Sequence, residues 1–484
     1  MKILFTYFPH YSKEKGYLLI SQNRFAKYRG NPELIYPLTP ASCLTILKNN
    51  NYEVYYIDAI YEKIDIATFI NKVHNISPDI IIFESKTPSI KKDWEIVNIL
   101  KSEIPAVKIF ACGDHVSVLP EETIDNSKVD FVILGGDYDY VSFILCEALR
   151  GKEVFPSGIV YKNNKGKIVS DKKLTFISNL DDLPFIDREI IPWQNYHEAW
   201  RLYDQFTYIF GSRGCPYRCT FCSWPQMLYE GTVRFRSPEK IVEEIEILIK
   251  KYGVKEVFFD DDTFTCNKNW VFKISYLIME KHLQIVWSCN GRVDNVDYEM
   301  LKIMKKSGCR MIKYGVESSS QKTLDLLRKG YTIEDVKKAF RETQKNKILI
   351  HATAMIGFPW ETKQQMLETI KFVKRLKPDT CQFSLPIPYP GTKLFEQAEK
   401  ENLLLYDREW EFYDMSKPLL KNYYLTSEEI TAILKRAWIS VYFSIPFILK
   451  KLKGLKNFHI LKLYFRGVIS VLIGHLKPFT KNEC

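Results

Sequence analysis

Short apolar strands alternate with helical patterns along most of this chain, and no other feature restricts its fold as strongly. Residues 1–150 contain five such strands separated by helices, and residues 206–403 contain six further pairs of strand and helix. Two parallel strands need a long crossover, which is usually a helix, so this order predicts parallel sheets. The 484 residues are too many for one ordinary domain. The first 150 residues are therefore predicted to form a doubly wound, flavodoxin-like α/β sheet.

Two other segments lack this alternation. Residues 151–205 are predicted to be a connector that contains a hairpin, with its turn at Asn163–Lys167. Residues 404–484 are predicted to be a helical extension rich in basic and apolar residues. The start of the chain is predicted to be a strand, because Pro9 follows too soon for the apolar region of a signal peptide. We therefore expect a cytoplasmic protein.

Three cysteines lie close together within Gly214–Cys222, at Cys215, Cys219 and Cys222. Three thiolates on one loop can bind three irons of a 4Fe–4S cluster and leave the fourth iron open to a small molecule. A zinc site usually needs four ligands, and the nearest histidine in sequence is His197, far upstream. A disulfide would need an oxidising compartment. The spacing therefore favours a cluster that acts on a bound partner.

The sequence Gly-Cys-Pro-Tyr-Arg-Cys-Thr-Phe-Cys resembles the signature of radical S-adenosylmethionine (SAM) enzymes, and the resemblance extends over residues 206–400. It implies that residues 206–403 form a partial (β/α)6 barrel of the TIM type. It also implies that SAM binds the open iron and is reductively cleaved to a 5′-deoxyadenosyl radical, which takes hydrogen from a substrate. An electron donor such as flavodoxin or ferredoxin is then required. Phe221 is expected to pack near the adenine.

Polar side chains follow the predicted barrel strands, where the ligands of such barrels bind. The resemblance implies that SAM is held by residues at these strand ends, namely Asp261, Asn290, Arg292, Glu317, Ser318 and Gly357. A guanidinium also matches the geometry of the SAM carboxylate, which supports Arg292 independently. The run Asp260–Asp262 has the alternative of a solvated turn that caps a helix. Glu361 is predicted to cap the helix that follows it.

Two glycine-containing turns follow predicted strands of the first sheet, at Gly113–Ser117 and at Gly135–Asp139. Doubly wound sheets bind ligands beyond these strand ends. The turns resemble those of the cobalamin-binding domain that precedes many radical SAM enzymes, which implies cobalamin contacts at Gly113, His115, Ser117, Gly135 and Gly136. A lone His115 has the alternative of a capping or surface histidine. The Asp-x-His-x-x-Gly motif that supplies an axial histidine in cobalamin mutases is absent, so the group below the cobalt stays open.

The end of the chain carries most of its formal net charge of +11, with ten Lys or Arg from Lys435 to Lys481 and no acid among them. This placement argues against a nucleic-acid enzyme with a basic catalytic face. Two apolar stretches, Ala437–Leu449 and Gly467–Leu476, are shorter than the roughly 18–20 residues that span a bilayer. Aromatic residues are mixed with the basic ones. The segment therefore predicts either a helix lying in a membrane interface or a helical cap on the barrel.

The resemblance implies a cobalamin-dependent radical SAM enzyme that modifies an unactivated carbon, with a 4Fe–4S cluster, SAM and cobalamin as cofactors. C-methylation of an apolar small molecule, such as a lipid or isoprenoid, is the preferred function, at the inner face of the membrane if the extension binds there. Cyclisation, ring contraction or carbon–carbon coupling without methyl transfer is a second interpretation. A third is a non-catalytic cobalamin sensor with a structural cluster, which a fourth nearby cysteine would mark. The sequence assigns no general acid or base.

Overall fold

The structure, a computed structural model, describes residues 1–12, 16–20, 26–29, 34–198, 200–444 and Phe447. Its first ten strands are β1 (Lys2–Tyr7), β2 (Tyr11–Ser12), β3 (Gly16–Leu19), β4 (Lys27–Arg29), β5 (Glu53–Asp58), β6 (Ile80–Ser85), β7 (Lys108–Gly113), β8 (Phe131–Ile133), β9 (Ile159–Lys162) and β10 (Ile168–Ser170). The helices among them are α1 (Leu38–Asn49), α2 (Ile66–Ile76), α3 (Ile90–Glu103), α4 (Asp114–Val118), α5 (Pro120–Asn126) and α6 (Tyr138–Leu149).

The first sheet has seven strands in the order β10-β9-β8-β7-β6-β1-β5. Its strands β5, β1, β6, β7 and β8 are parallel, and their order is that of a flavodoxin-like fold. Every residue of β6 is buried, as expected of a parallel strand covered by helices on both faces. The predicted doubly wound sheet is confirmed. Its ligand crevice is expected beyond the carboxyl ends of β1 and β6, where the strand order reverses.

The hairpin of the predicted connector extends this first sheet. Its arms, β9 and β10, pair antiparallel with each other, and β9 pairs antiparallel with β8. The side chain of Asn163 accepts hydrogen bonds from the N–H groups of Lys165 and Lys167 (both 3.0 Å), which is how asparagine closes a tight turn. The strands β2, β3 and β4 form a separate small sheet between β1 and α1.

The second half of the chain contains the strands β11 (Phe206–Ile209), β12 (Ser212–Gly214), β13 (Val233–Phe235), β14 (Glu256–Phe259), β15 (Val286–Gly291), β16 (Cys309–Glu317), β17 (Leu349–Met355) and β18 (Thr380–Ser384). Its helices are α7 (Trp224–Met227), α8 (Pro238–Tyr252), α9 (Lys268–Glu280), α10 (Tyr298–Lys306), α11 (Gln321–Leu326), α12 (Ile333–Lys345), α13 (Lys363–Leu376), α14 (Lys393–Lys400) and α15 (Ser427–Tyr442).

Six of these strands form a second parallel sheet in sequence order, β11-β14-β15-β16-β17-β18, with helices between successive strands. This is the topology of an incomplete TIM-type barrel, so the predicted partial barrel is confirmed. Local sequence sets the helix ends. For example, α8 begins at Pro238 after the capping side chain of Ser237 and stops before Gly253, which takes a left-handed conformation.

The last described helix, α15, packs against α13 and β18 of the barrel. The Tyr442 hydroxyl donates a hydrogen bond to the Cys381 carbonyl (2.6 Å) and accepts one from its N–H (3.1 Å). Ala437, Trp438 and Val441 are buried, so the start of the stretch predicted for the membrane interface belongs to a cap on the barrel. Residues 448–484, including Gly467–Leu476, lie outside the described residues. In the part of the chain that the structure describes, no helix is long and apolar enough to cross a membrane.

Candidate functional site

The three predicted cluster cysteines lie on the loop that joins β12 to β13, two short strands that pair antiparallel. Gly214 precedes the first cysteine with a φ of +89°, a conformation that favours glycine. A Cβ on Gly214 would lie 2.0 Å from the carbonyl oxygen of Thr232, where the loop returns. The two ends of the loop are therefore in contact, and a larger residue at Gly214 would force them apart.

The three cysteine side chains are largely shielded from solvent. Cys215 and Cys219 are buried, and Cys222 is half-buried. Within the described ranges, no group of three or more His, Cys, Asp or Glu side chains is arranged to hold a single metal ion. A 4Fe–4S cluster does not need such convergence, because each of its thiolates binds a different iron. The three loop thiols fit such a cluster, with one iron for each of them.

The acidic run after β14 holds this loop in place. The carboxylate of Asp261 accepts hydrogen bonds from the N–H of Gly211 (2.8 Å) and the hydroxyl of Ser212 (2.5 Å). Asp262 accepts one from the N–H of Gly214 (3.1 Å). The strand that leads into the cysteine loop is thus tied to the end of the neighbouring barrel strand, which positions the first cysteine.

Asn290, at the end of β15, continues the same network by donating a hydrogen bond to the backbone oxygen of Asp261 (2.8 Å). Asp260 and Asp261 are buried, so the alternative of a solvated turn is wrong. Burial raises the pKa of Asp261 to about 7. The structure gives Asp261 and Asn290 a supporting role beneath the cysteine loop, and their direct contact with SAM stays a prediction.

Arg292 lies against the cysteine loop. Its guanidinium is 3.9 Å from the sulfur of Cys219 and 3.4 Å from the centroid of the Tyr217 ring. Asp294 accepts two hydrogen bonds from it (3.0 and 2.9 Å), and the carbonyl of Lys329 accepts another (2.5 Å). These contacts fix a positive charge beside the second cysteine, where an anionic ligand of the cluster would be attracted.

Glu317 ends β16 with a φ of +58°, at a shift in register with β17. Its carboxylate accepts a hydrogen bond from the Lys329 ammonium (3.0 Å), and both side chains are less than a tenth exposed. The ammonium also lies 5.4 Å from the ring centroids of Phe221 and Tyr331. Burial lowers the pKa of Lys329, but Cys219 and Glu317 outweigh it and raise the pKa well above its usual value. Sequence reasoning missed this lysine, because lysine is rarely buried and only tertiary packing distinguishes it.

Two further predicted SAM residues, Phe221 and Ser318, pack against other side chains of the barrel. Phe221 packs on a small apolar cluster that includes Met355 and Phe358. Ser318 is fully buried, and its hydroxyl lies 3.4 Å from that of Thr369 on α13. Phe221 therefore lies on an apolar surface that suits contact with an adenine, whereas the Ser318 hydroxyl lies against helix α13. Their contact with SAM stays a prediction.

The turn after β17 contains the last predicted SAM residue, Gly357, whose φ is +100°. The N–H groups of Gly357 and Phe358 donate to the carboxylate of Glu361 (2.9 and 3.1 Å). The prediction that Glu361 caps the next helix is wrong, because Thr362 caps α13 in a capping box with Gln365. Glu361 instead closes the turn, and burial raises its pKa to about 7. The approach of Gly357 to adenine stays a prediction.

The two predicted cobalamin turns are joined to each other. Gly113 has a φ of +117°, and a Cβ on it would lie 2.2 Å from the carbonyl oxygen of Ser85 at the end of β6. The hydroxyl of Ser117 donates to the carbonyl of Gly113 (2.6 Å) and accepts from the N–H of Gly135 (3.0 Å). The turns after β7 and β8 thus form one surface at the carboxyl edge of the sheet, which fits a ligand held by backbone groups.

His115 is buried, so the alternative of a surface histidine is wrong. One ring nitrogen lies 3.3 Å from the Thr87 hydroxyl, and the other lies 3.5 Å from the carboxylate of Glu122. The ring of Trp410, from the carboxy-terminal extension, packs edge-on against it with 5.1 Å between centroids. His115 is enclosed by protein groups on these sides, and its contact with cobalamin stays a prediction.

The second cobalamin turn touches the segment that follows the cysteines. The N–H of Gly136 donates to the carbonyl of Leu228 (2.9 Å). A Cβ on Gly136 would lie 2.3 Å from the ring of Tyr229. The predicted cobalamin and cluster sites are therefore neighbours in the fold, although about 80 residues separate them in the sequence.

A structural cluster would need a fourth cysteine ligand, and Cys266 is a candidate outside the loop. Burial chiefly, followed by the charges of Asp261 and Cys215, raises the pKa of its thiol to about 12. The thiolate is the form of cysteine that binds metals. Burial raises the pKa of the Cys215 and Cys222 thiols as well, and a thiol loses its proton when it binds a metal. Cys266 lies outside the Cys-x-x-x-Cys-x-x-Cys spacing of the loop, and the three loop cysteines fit a cluster with one open iron.

Comparison with known proteins agrees with both halves of the fold. The Radical SAM superfamily model matches residues 209–373, and the B12 binding domain model matches residues 35–140. An uncharacterized methyltransferase of Pyrococcus horikoshii is 31% identical over 88% of this chain and 92% of its own length. An anaerobic magnesium-protoporphyrin IX monomethyl ester cyclase of Rubrivivax gelatinosus is 26% identical over 78% of this chain and 68% of its own length.

Among solved structures, the cobalamin-dependent SAM radical enzyme OxsB with aqua-cobalamin bound has a TM-score of 0.70 and 17% identity. The match covers 98% of this chain and 72% of OxsB, so the two share a fold. The sequence relatives and the two domain matches lead to one conclusion. The chain belongs to the radical SAM enzymes with an N-terminal cobalamin-binding domain, a family whose cofactors are a 4Fe–4S cluster, SAM and cobalamin.

Proposed function

We propose that this enzyme methylates an unactivated carbon of an apolar, lipid-like small molecule. The observation that supports this most is the contact between the cobalamin turn at Gly136 and the segment that follows the cysteines, at Leu228 and Tyr229. A methyl carrier and a radical source must act on the same carbon, so their sites must be adjacent. The Pyrococcus relative, a methyltransferase by name, supports the same choice.

Each cofactor has residues in this chain that would hold it. Cys215, Cys219 and Cys222 would bind the cluster, and Arg292 with the Glu317–Lys329 pair would hold SAM beside it. The turns after β7 and β8 would hold cobalamin. When bound, the cluster and SAM supply a radical that removes hydrogen from carbon, and cobalamin supplies a methyl carrier, while the protein orients them and excludes water.

The barrel interior offers a place for the substrate. On β17 and β18, half-buried side chains alternate with fully buried ones. The buried face packs on the helices, as the hydrogen bond between Tyr314 of β16 and Thr343 of α12 shows (3.0 Å). The half-buried face therefore lines the interior, and one layer of it consists of Gly315, Thr353 and Gln382. Complete barrels fill such layers with bulky branched side chains, whereas this layer is small and polar, and the Glu317 carboxylate occupies the space beside Gly315. We therefore place the substrate against Thr353 and Gln382.

The proposal includes two partners that the sequence predicts. An electron donor such as flavodoxin or ferredoxin would reduce the cluster. The basic end of the chain would bring the enzyme to an anionic membrane surface, where an apolar substrate is found.

A second candidate function is cyclisation or carbon–carbon coupling without methyl transfer, which the cyclase of Rubrivivax gelatinosus favours. Product mass separates the two. Reconstituted enzyme would be incubated with SAM bearing a deuterated methyl group, cobalamin, a reductant and a cell lipid extract. Transfer of the labelled methyl to a lipid is expected. An unlabelled product that has only lost hydrogen would instead support cyclisation.

A further inference from the structure

A buried network of four charges joins the cobalamin turn to the cysteine loop. The guanidinium of Arg213 donates two hydrogen bonds to Asp139 (2.9 and 2.6 Å) and one to Asp137 (3.1 Å). Arg234 binds Asp137 as well, with one of its two hydrogen bonds at 3.0 Å. Asp137 and Asp139 are fully buried, Arg213 is 5% exposed and Arg234 is 15% exposed. Two positive and two negative groups balance each other inside the protein.

The positions of these residues in the chain give the network its significance. Asp137 directly follows Gly135 and Gly136 in the second cobalamin turn, and Asp139 lies two residues further on. Arg213 lies on β12 two residues before Cys215, and Arg234 faces it across the pair of strands that closes the cysteine loop. The four charges therefore connect the backbone of one cofactor site to the backbone of the other.

The remaining contacts make this connection rigid. The Asp137 carboxylate also accepts a hydrogen bond from the N–H of Ile177 (2.9 Å). Rings cover the guanidinium groups, with Phe210 4.7 Å from Arg213 and Phe176 4.8 Å from Arg234. Buried charges that form paired, planar hydrogen bonds have few alternative arrangements of similar energy.

We propose that the network of Asp137, Asp139, Arg213 and Arg234 is a positioning device that sets the distance and orientation of cobalamin relative to the cluster. The role is independent of whether the enzyme methylates or cyclises its substrate, because either chemistry needs a fixed geometry at the reacting carbon. None of the four residues needs to touch a cofactor. They act through the turn and the loop that do.

Pulsed electron paramagnetic resonance tests this in the full chain with both cofactors reconstituted. The probe is the magnetic interaction between the unpaired electrons of cob(II)alamin and the reduced cluster, which depends on their separation. The Asp139→Asn variant removes one charge with little change of shape, and Arg213→Lys keeps the charge but removes the planar fork. Both are expected to bind both cofactors and to show a broadened distribution of separations.

The matched control is the Glu256→Gln variant. Glu256 is fully buried and binds Arg310 (3.1 Å), at the amino ends of the barrel strands and away from the cysteine loop. It should lose stability as Asp139→Asn does but keep the wild-type distribution. If Asp139→Asn does not fold, the less buried Arg234→Lys takes its place, with the same broadening expected. An unchanged distribution in the variants that fold, or equal broadening in Glu256→Gln, would overturn the proposal.

Discussion

Lys329 and Glu317 form a buried ion pair, 3.0 Å apart, between the end of the fourth barrel strand and the turn that follows α11. The ammonium of Lys329 also lies 5.4 Å from the ring centroid of Phe221, which belongs to the cysteine loop. Removing one partner of a buried ion pair leaves an uncompensated charge and is costly. The pair is therefore a fixed polar feature next to the place where SAM would meet the cluster.

The first prediction concerns this pair. Glu317→Gln and Lys329→Met should each weaken SAM binding by on the order of 10- to 100-fold, the range of one lost charged hydrogen bond. The iron content should stay at the wild-type level, because neither residue is a cluster ligand. Isothermal titration with SAM and iron analysis measure the two effects.

The control for this prediction is Lys313→Met. Lys313 lies on β16, the strand that ends at Glu317, and forms an ion pair with Glu198 (3.4 Å) away from the cysteines. This variant should bind SAM as the wild type does. Wild-type affinity in the Glu317 and Lys329 variants would remove that pair from the SAM site. The same test applies to Arg292→Ala, which should also weaken SAM binding without loss of iron.

The second prediction concerns the cluster. Replacing Cys215, Cys219 and Cys222 together by alanine should remove nearly all bound iron after reconstitution and abolish SAM cleavage, because three of four irons lose their ligands. Cys266→Ser is the matched control and should keep full iron content, since Cys266 lies outside the three-cysteine loop. Loss of iron in Cys266→Ser would instead support a cluster with four cysteine ligands. Absorbance spectra and iron analysis give the answer.

The third prediction concerns the group below the cobalt. Bound cob(II)alamin should show no nitrogen superhyperfine splitting, because the Asp-x-His-x-x-Gly motif that supplies an axial histidine in cobalamin mutases is absent. His115 packs against Thr87, Glu122 and Trp410. His10, also buried at the carboxyl edge of the sheet, is hydrogen-bonded to Asp93 (2.7 Å). Splitting that disappears in His115→Ala or in His10→Ala would contradict the prediction and identify the ligand.

The fourth prediction is a pH dependence of stability caused by Glu361, whose pKa burial raises from 4.5 to about 7. Between these values the folded chain keeps a proton that the unfolded chain has released, so stability falls as the pH rises from about 4.5 to about 7. Glu361→Gln removes this effect. The unfolding free energy of the wild type should therefore fall relative to the variant by on the order of 3 kcal/mol over this range.

Urea unfolding of both proteins at several pH values measures the difference. Glu396→Gln, at an exposed glutamate of α14, is the control and should follow the wild type. Parallel pH curves for wild type and Glu361→Gln would show that the buried carboxyl does not titrate in this range.

The fifth prediction concerns the basic end of the chain. A truncation after Ser444 keeps α15, which the barrel needs as a cap, and removes the following residues. The truncated enzyme should fold and cleave SAM, but it should bind vesicles with anionic lipid at least about tenfold more weakly than the full chain, since each lysine contributes on the order of 1 kcal/mol. Co-sedimentation at low and high salt measures this.

A control that lowers the basic charge of the barrel instead separates a specific membrane segment from general basicity. It replaces four exposed barrel lysines by glutamine, at Lys240, Lys250, Lys273 and Lys281. This variant should bind vesicles as the wild type does. Equal sedimentation of the full and truncated chains, or aggregation of the truncated chain, would favour a cap without membrane contact.

The sequence predicted those parts of the structure that depend on local patterns. The barrel helix α12 (Ile333–Lys345) begins at a capping box and follows an apolar period, and both of these signals lie in the local sequence. Long-range contacts were not accessible in this way. The burial of Lys329, the packing of Trp410 on His115 and the pairing of Arg213 with Asp139 each join residues distant in sequence. The spacing of Glu361 predicts a helix cap, but its buried environment decides its role, and it closes the turn at Gly357 instead.

The most direct test of the account is the electron paramagnetic resonance spectrum of the reduced cluster in the full chain, with and without SAM. The open iron is proposed to lie on the loop of Cys215, Cys219 and Cys222, next to Arg292 and the Glu317–Lys329 pair. Addition of SAM should therefore shift the spectrum, and SAM labelled with nitrogen-15 at its amino group should show coupling to the cluster. A spectrum that SAM does not change, in protein with full iron content, would contradict the account.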